Sequence, residues 1–482
     1  MEEVFQAPQV AAGRGSETML APQEVQRMLA LSAPGGGSPR SERPCRRGTI
    51  PLVRVLLLTL GSRGDIEPFI ALGIGLRAAG HESTLCASRR FASVIEGHGL
   101  RHAPMDDGFL ELLHSPAGRK GLERSGSFTG MMSTALRLAR QVGPMQLQIQ
   151  RDCWAAAQAC RPDLIVHHLK IMGAPDIAQA LGVPAVLVPL VPMVQPTAAR
   201  PCPVLPTWPD RLVGAAGRRA GYHLVNTLAT RFGLGPVKRW RREQGLPPRP
   251  AAMDLRHDGA GRPIGLLHAH SEWLLQRPAD WPPHAVATGF WRLPPDTSWQ
   301  PPPALQAFLE AGPPPIYVGF GSMAGRDPAR LAHTVFEALA LAGLRGVLAR
   351  GWGGLEARAV PPHVHLIDEA PHDRLLPLMA AVVHHGGAGT TAAALRAGRP
   401  SVICPFFADQ PFWGRTIHEG GLGPAPLAQR RLTPARLAAA MREAAHSEPM
   451  HRAAGAMGER LRAEDGVSRA VDWLQQWHAK HR

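Results

Sequence analysis

A glycine-rich segment with the sequence HHGGAGTT occupies residues 384–391. The apolar run before it, 379–383, is typical of a buried strand, and the Ala/Leu-rich run after it, 392–397, is typical of a helix. A strand, a tight turn and a helix N-terminus bring free backbone N–H groups and the positive end of the helix dipole to one place. The segment therefore predicts an α/β fold with a site for an anion such as phosphate, although such a segment alone is equally compatible with a simple turn.

A second polar motif follows the next predicted strand. The sequence FFADQPFW occupies residues 406–413, directly after the apolar run 400–405. In open α/β sheets ligands bind outside the carboxyl ends of the strands, so neighbouring strands would deliver both motifs to one crevice. A phosphate site beside the acid-amide pair Asp409-Gln410 suits a nucleotide sugar.

Apolar strand patterns alternate with helical patterns in both halves of the chain. This alternation predicts an α/β fold with two doubly wound Rossmann-like domains facing one cleft. The predicted strands are 52–58, 83–87, 163–168, 184–190, 316–319, 346–349, 364–368, 381–384 and 401–405, and the clearest helices are 67–79, 175–181 and 465–481.

The same patterns divide the chain of 482 residues into segments. Residues 1–50 are rich in Gly, Ser, Pro and Ala and are expected to be a disordered leader or an over-extended gene start. Residues 51–295 and 316–464 are the two expected domains, joined by a Pro-rich linker at 296–315, and 465–482 form an amphipathic C-terminal helix. Residues 105–150 lack clean periodicity and are expected to hold acceptor-lining helices and a mobile loop around 115–130.

Composition excludes several classes of protein. A hydrophobic content of 45% excludes a disordered chain. The six cysteines show neither CxxC nor paired His spacing, which indicates neither a zinc site nor a disulfide framework. No signal-peptide pattern and no apolar run of transmembrane length is present. We therefore expect a cytoplasmic protein that requires no metal.

The formal net charge of +15 is concentrated in part of the chain. Residues 211–245 contain eight Lys or Arg and one Glu, interleaved with Phe232 and Trp240. A basic amphipathic segment can bind anionic lipid, at roughly 1 kcal/mol per basic residue near the surface. An ordinary solvated helix face is the default interpretation, peripheral contact with the inner face of the membrane is the alternative, and no nucleic-acid partner is expected.

The two motifs resemble the donor-binding signature of GT-B glycosyltransferases that use nucleotide sugars. The sterol 3-beta-glucosyltransferase branch is the most similar, and antibiotic glycosyltransferases share HGGAGTT and ADQP. The resemblance runs in order from about residue 53 to 426. It includes GSRGD at 61–65, WP at 281–282 with TGFW at 288–291, GFGSM at 319–323 and GWGGL at 351–355. The last helix of this family crosses back onto the first domain, and we expect the same here.

The resemblance implies a catalytic base and a donor site. Asp65, in the loop after the first strand, is expected to be the base; a helix cap is the alternative, and Glu67 is the reserve carboxylate. The family uses its histidine before the glycines for phosphate, the acid-amide pair for the sugar, and the turn at 367–372 for the nucleotide base. The expected donor-binding residues are Ser62, Arg63, Gly64, Gly321, Ser322, Trp352, Ile367, Ala370, His385, Gly387, Ala388, Gly389, Thr390, Asp409 and Gln410.

The expected reaction is a single displacement that inverts the anomeric centre. The sequence shows no second carboxylate placed as a glycosidase would need for hydrolysis. It also shows no DxD-like carboxylate pair that could bind Mg²⁺. The co-substrate is expected to be UDP-glucose and the acceptor a sterol or another hydrophobic alcohol. A natural-product glycosyltransferase acting on a polyketide or peptide aglycone, and a nucleotide-sugar epimerase, remain alternatives. His167-His168 and the segment 189–197 depart from the sterol pattern, which leaves the acceptor open.

Overall fold

The computed structural model describes residues 52–114, 128–205, 210–250, 254–321, 328–351 and 360–481. The leader predicted at 1–50, most of the loop predicted around 115–130, Ser322 and Trp352 lie outside these residues.

The first half of the described chain forms a parallel sheet with the strand order β3-β2-β1-β4-β5-β6-β7. Its strands are β1 (Arg54–Leu58), β2 (Glu82–Ser88), β3 (Arg101–Met105), β4 (Leu164–His168), β5 (Ala185–Val188), β6 (Gly265–His268) and β7 (Ala285–Ala287). Its helices are α1 (Arg63–Ala78), α2 (Ala92–Gly97), α3 (Gly108–His114), α4 (Phe128–Cys160), α5 (Ala174–Leu181), α6 (Asp210–Gly233) and α7 (Gly235–Glu243), with a 3-10 turn at Arg89–Phe91.

Both faces of this sheet are covered, which explains why its strands read as continuous apolar runs. Alternate residues of β1 enter different cores: Val55 and Leu57 pack with α1, whereas Leu56 and Leu58 pack with α4 and α5. The polar ends of the strands are thereby left to form a site.

The second half forms a parallel sheet with the order β10-β9-β8-β11-β12. Its strands are β8 (Ile316–Gly319), β9 (Gly346–Ala349), β10 (Val364–Ile367), β11 (Ala381–His384) and β12 (Ser401–Ile403). Its helices are α8 (Pro303–Glu310), α9 (Pro328–Ala342), α10 (His372–Leu375), α11 (Ala388–Arg396), α12 (Gln410–Glu419), α13 (Pro434–His446), α14 (Glu448–Ala463) and α15 (Gly466–His481), with 3-10 turns at Leu376–Leu378 and Gln429–Arg431. The predicted fold class, two doubly wound parallel sheets, is confirmed.

Some predicted boundaries were wrong near the site. Helix α1 begins at Arg63 rather than at residue 67, so Asp65 lies in its first turn and not in a loop. Helix α11 begins at Ala388 rather than at residue 392. Glycine and threonine disfavour a helix interior, but the first turn tolerates them because its N–H groups need no intrahelical acceptor. Residues 128–160 form the long helix α4, which begins within the loop predicted around 115–130 and covers much of the segment in which helices were expected.

The last helix, α15, packs on α1. A Cβ atom on Gly75 would lie 2.3 Å from Val467 Cγ1, so the two helices approach closely where α1 has no side chain. Ala470, Val471 and Leu474 join the core on the α1 face of the first sheet. The end of the chain therefore belongs to the core of the first sheet.

The structure contradicts part of the lipid-binding interpretation of residues 211–245. Trp240 has no exposed surface and packs in the core on the α4 face of the first sheet. Arg241 is 2% exposed, and its Nη1 lies 2.6 Å from the buried Asp176 Oδ1. Because α7 uses its aromatic and one of its arginines to attach itself to the protein, neither is available to a membrane. The side chain of Phe232 lies outside the described part of the chain.

Candidate active site

The carboxyl ends of β1 and β4 form the first part of the site. Strands β1 and β4 pair directly, because the order of the strands reverses between them. This pairing brings Asp65 to Lys170, which lies 105 residues further along the chain. In doubly wound sheets such a switch point opens a crevice for ligands. Asp65 follows β1 and His168 ends β4, so the topology brings the two together.

Asp65 is held by contacts on both carboxylate oxygens. Its Oδ2 accepts hydrogen bonds from Ser62 N at 2.8 Å and Ser62 Oγ at 3.1 Å, which caps α1. Its Oδ1 lies 2.8 Å from Lys170 Nζ and 3.6 Å from His168 Nε2. A Cβ atom on Gly61 would lie 2.1 Å from Asp65 Oδ2, so only glycine fits there. The carboxylate thus both caps the helix and points into the crevice.

The charges around Asp65 fix its ionisation. Burial would raise its pKa, but Lys170 and then His168 outweigh burial, and the pKa lies below its usual value. Burial lowers the pKa of His168 to about 4, against the opposing attraction of Asp65. At neutral pH Asp65 is therefore a carboxylate and His168 a neutral imidazole.

The other predicted residues of this loop differ in what they contact. Arg63 bonds to Glu67 Oε1 at 2.5 Å and to Glu369 Oε2 at 3.1 Å, and Glu369 follows β10 of the second sheet. Glu67 is therefore occupied by an ion pair, which makes it a poor reserve base. No described atom lies within 4 Å of a Cβ position on Gly64, so this residue faces open space.

The turn between β11 and α11 forms the second part of the site. His384 is fully buried, and its Nδ1 accepts a hydrogen bond from Gly386 N at 3.1 Å, which shapes the turn. Gly386 has φ +89°, in the region that favours glycine. A Cβ atom on Gly387 would lie 2.5 Å from His385 Nε2, so the second glycine leaves room for the imidazole.

Helix α11 presents its free backbone donors beside His385. Its first-turn amides, from Ala388, Gly389 and Thr390, have no acceptor within the helix. His385 Nδ1 is buried with no hydrogen-bond partner in the described structure. Burial lowers the pKa of His385 to about 4, so the ring is neutral and has one N–H to donate. The turn therefore has the donors for an anion but carries no full positive charge of its own.

Gly321, which follows β8, lies beside this turn. It has φ +59°, and a Cβ atom there would lie 3.5 Å from His385 Cε1. Strand β8 pairs with β11, where the strand order of the second sheet reverses. Both halves of the chain thus place their predicted residues at a switch point.

Asp409 and Gln410 begin helix α12. Asp409 Oδ2 accepts a hydrogen bond from Trp413 Nε1 at 3.0 Å, which leaves its other oxygen for a ligand. Burial raises the pKa of Asp409 to about 6. Gln410 Oε1 accepts from Phe406 N at 2.7 Å, so its free donor is the side-chain NH₂ group. The pair offers an acceptor and a donor, as two adjacent sugar hydroxyls require.

The structure brings these parts together. A Cβ atom on Gly386 would lie 3.1 Å from Gln410 O, so the glycine-rich motif and the acid-amide motif touch. Helix α11 contacts α1, and the charge of Asp65 contributes to the raised pKa of Asp409. Leu275, from the loop after β6, packs on Phe412 and Trp413. Base and donor motifs from separate sheets therefore face the same crevice.

The predicted turn for the nucleotide base lies at the edge of this crevice. Ile367 and Ala370 are partly buried and pack on the core beneath α10, and Ile367 O accepts from Arg350 N at 2.9 Å. Ser322 and Trp352 would follow β8 and β9 but lie outside the described residues. Among the residues that the structure describes, no group of three or more His, Cys, Asp or Glu side chains could hold a metal ion.

Sequence reasoning missed Lys170 and treated His168 only as a departure from the sterol pattern. Both directly follow or end a buried strand, which is the signal that could have identified them. The sequence does not say which strand lies beside β1, and only that pairing brings Lys170 to Asp65.

Both halves of the chain match known protein families. Residues 55–173 match the N-terminal domain of glycosyltransferase family 28, and residues 353–469 match the C-terminal domain of erythromycin biosynthesis protein CIII-like proteins. Among solved structures, a kitacinnamycin glycotransferase aligns over 88% of this chain and 99% of its own with a TM-score of 0.61 and 20% identity. The calicheamicin glycosyltransferase CalG4 aligns over 89% and 99% with a TM-score of 0.60 and 19% identity. At this identity, the two structures show the fold alone.

Curated relatives are more similar in sequence. Sterol 3-beta-glucosyltransferase UGT80B1 of Arabidopsis thaliana is 33% identical over 88% of this chain and 68% of its own length. The Arabidopsis enzyme UGT80A2 is 32% identical over 88% of this chain and 65% of its own, and the Neosartorya fischeri enzyme 33% over 87% and 29%. The chain thus spans about two thirds of its plant relatives and less than a third of the fungal one. It belongs to the glycosyltransferase family that contains the sterol 3-beta-glucosyltransferases.

Proposed function

We propose that this protein transfers a hexose, glucose from UDP-glucose, to the hydroxyl of a sterol or another hydrophobic alcohol, with inversion at the anomeric carbon. The observation that carries the proposal is the pairing of Asp65, at the first switch point, with the His385 turn and Asp409 at the second. A transferase needs a base for the acceptor and a cradle for the leaving diphosphate in one crevice. The names of the curated relatives support the choice of a sterol-like acceptor and of glucose.

In this proposal Asp65 takes the proton of the acceptor hydroxyl as that oxygen attacks the anomeric carbon. An ionised carboxylate of low pKa is a weak base toward an alcohol, so proton uptake accompanies attack rather than preceding it. Lys170 keeps Asp65 ionised, and Ser62 fixes the direction of the carboxylate. Lys170 and His168 are thus positioning residues for the base.

The leaving diphosphate would receive its hydrogen bonds from the α11 turn. The amides of Gly387, Ala388, Gly389 and Thr390, together with the helix dipole and one N–H of His385, are arranged before the reaction begins. Asp409 and the Gln410 amide would hold two hydroxyls of the hexose. The donor set consists of N–H groups, which suit phosphate oxygens and do not bind cations, so we propose that the transfer needs no metal.

A sterol acceptor resides in a bilayer, which bears on how the protein reaches it. No helix in the described ranges is long and apolar enough to cross a membrane. With Trp240 and Arg241 buried, the basic side chains of α7 that remain exposed are Lys238, Arg239 and Arg242. We propose that these contribute a peripheral attraction to anionic lipid.

The proposal is tested by supplying UDP-glucose and dTDP-glucose with sterols, hopanoids and natural-product aglycones, and identifying products by mass spectrometry. We expect a β-glucoside of a hydrophobic alcohol, formed from UDP-glucose. Turnover only of polyketide or peptide aglycones would favour the natural-product alternative, and an isomerised donor formed without acceptor would indicate an epimerase. The Asp65→Asn variant serves as the control for catalysis by contaminating enzymes.

A further inference from the structure

Three basic side chains in the acceptor half are not used by the reaction described above, namely Arg200, His268 and His270. They lie where the segments after β5 and β6 meet. Thr197 Oγ1 and Ala198 N both bond to Asp280, at 2.7 and 2.8 Å, and Arg200 Nη2 donates to Gln276 O. Both segments leave the carboxyl ends of their strands, and Val191 and Leu275 within them pack with Phe412 and Trp413, beside Asp409 of the crevice.

Two histidines of this group are buried without hydrogen bonds. His268 is 0% exposed and His270 is 1% exposed, and no described atom bonds to either ring nitrogen of either residue. The Leu275 backbone lies close enough to the His270 ring to oppose the lowering of its pKa by burial. The His268 ring stacks on Trp281 at 4.3 Å, which fixes its plane. An unpaired buried polar group costs about 1–3 kcal/mol, and each neutral ring has one N–H to donate, so two unpaired donors indicate a missing acceptor.

The charge around these rings indicates the sign of that partner. Arg200 Nη1 is buried and also has no hydrogen-bond partner among the described residues. Arg200 influences both His268 and His270, and no described carboxylate forms an ion pair with it. The carboxylate of Asp280, in the same segment as Gln276, is instead paired with Arg219 at 2.9 Å. A guanidinium with a buried, unpaired Nη1 and no described carboxylate partner, beside N–H donors, suits an anion.

We propose that Arg200, His268 and His270 bind a carboxylate group of the acceptor. The proposal rests on the proposed function, because it places the acceptor in this half of the crevice. Strands β1 and β6 are three strand spacings apart, about 14 Å. A rigid polycyclic alcohol spans such a distance with its hydroxyl at Asp65 and an acidic side chain at Arg200. Within the proposed class of sterol-like alcohols, the preferred acceptor is therefore one that also carries a carboxylate.

The experiment compares 3β-hydroxy-5-cholenoic acid with its methyl ester, which differs in charge but hardly in shape. With UDP-glucose and wild-type protein we expect kcat/KM for the acid to exceed that for the ester at least about tenfold, which equals about 1.4 kcal/mol. Arg200→Gln should abolish this preference and leave the ester within about threefold. His268→Phe, which keeps the stacking on Trp281, should reduce the preference. Arg218→Gln is the matched control, because Arg218 bonds to Ala198 O in the same segment at 3.1 Å.

A second readout is binding without donor, measured as the rise in melting temperature caused by each steroid. If the acid-to-ester ratio of kcat/KM is the same in wild type and Arg200→Gln, the anion site is refuted while the transferase function stands. If neither steroid is glucosylated, the proposed function is wrong for this acceptor class. In that case a thermal shift by the acid that depends on Arg200 still supports the site, and equal shifts refute it. If Arg200→Gln instead changes the preference between UDP-glucuronate and UDP-glucose, the site serves the donor and the acceptor assignment is overturned.

Discussion

Replacement of Asp65 by asparagine tests the assignment of the base. The asparagine side chain has nearly the same shape as aspartate. Its oxygen could still accept the hydrogen bond that Ser62 N donates to Asp65 Oδ2 at 2.8 Å in the unaltered protein. It cannot take a proton, and its NH₂ group cannot replace the oxygen that faces Lys170 at 2.8 Å. The change therefore removes the base while leaving most of the helix cap in place.

The expected loss follows from these contacts. General-base catalysis contributes about 10²- to 10⁴-fold, or about 2.7–5.4 kcal/mol of activation free energy. The ion pair with Lys170 is worth at most about 1 kcal/mol of stability, because the lysine side chain is 40% exposed and solvent screens it. We therefore expect kcat to fall at least about 10²-fold while the folded protein persists.

The assay combines kcat with acceptor saturated, donor affinity by calorimetry and the melting temperature. The Kd for UDP-glucose should change by less than about threefold, because most expected donor contacts lie in the second half of the chain and Asp65 itself is not one of them. Glu67→Gln is the control on the same helix turn, and it should keep kcat within about threefold because Glu67 is occupied by Arg63. Unchanged turnover in Asp65→Asn would return Asp65 to a capping role. If His168→Ala lowered kcat as much as Asp65→Asn does, the imidazole of His168 rather than Asp65 would be the base.

Other predictions concern stability, metal, pH and lipid. Arg241→Gln should lower the free energy of unfolding by about 1.5–3 kcal/mol, because it removes the bond to the buried Asp176 at 2.6 Å but leaves Asp176 paired with Arg249 at 3.1 Å. Arg239→Gln, at an arginine side chain 63% exposed, should cost at most about 1 kcal/mol, and equal denaturant midpoints would contradict this. Activity should survive EDTA, and a loss restored by Mg²⁺ or Mn²⁺ would refute the metal-free cradle. The KM for donor should rise as pH falls through about 6, because Asp409, with its raised pKa, becomes protonated and loses an acceptor; Asp409→Asn should remove this dependence. Binding to anionic vesicles should weaken with salt, and more for wild type than for a variant with Arg239 and Arg242 changed to Gln, since the screening length is about 8–10 Å near physiological salt; equal sedimentation at every salt concentration would refute the lipid contact.

The sequence by itself determined the fold class and the location of the donor motifs along the chain. Strand β11 and the glycines after it were predictable because burial on both faces of a parallel sheet requires a continuous apolar run, and because tight turns require glycine. The bounds of β8, β9 and β11 agree with the prediction. These features depend on local sequence, so local patterns reveal them.

Only the tertiary structure decided which distant residues meet. Lys170 reaches Asp65 because β4 lies beside β1, and no local pattern encodes that neighbour. Trp240 and Arg241 read as part of a basic amphipathic surface, yet α7 packs on α4 and buries both. The spacing of charged residues along a helix gives their periodicity but not the face that another element covers. Arg200, His268 and His270 likewise meet because loops after β5 and β6 fold together, and their missing partners are visible only once burial is known.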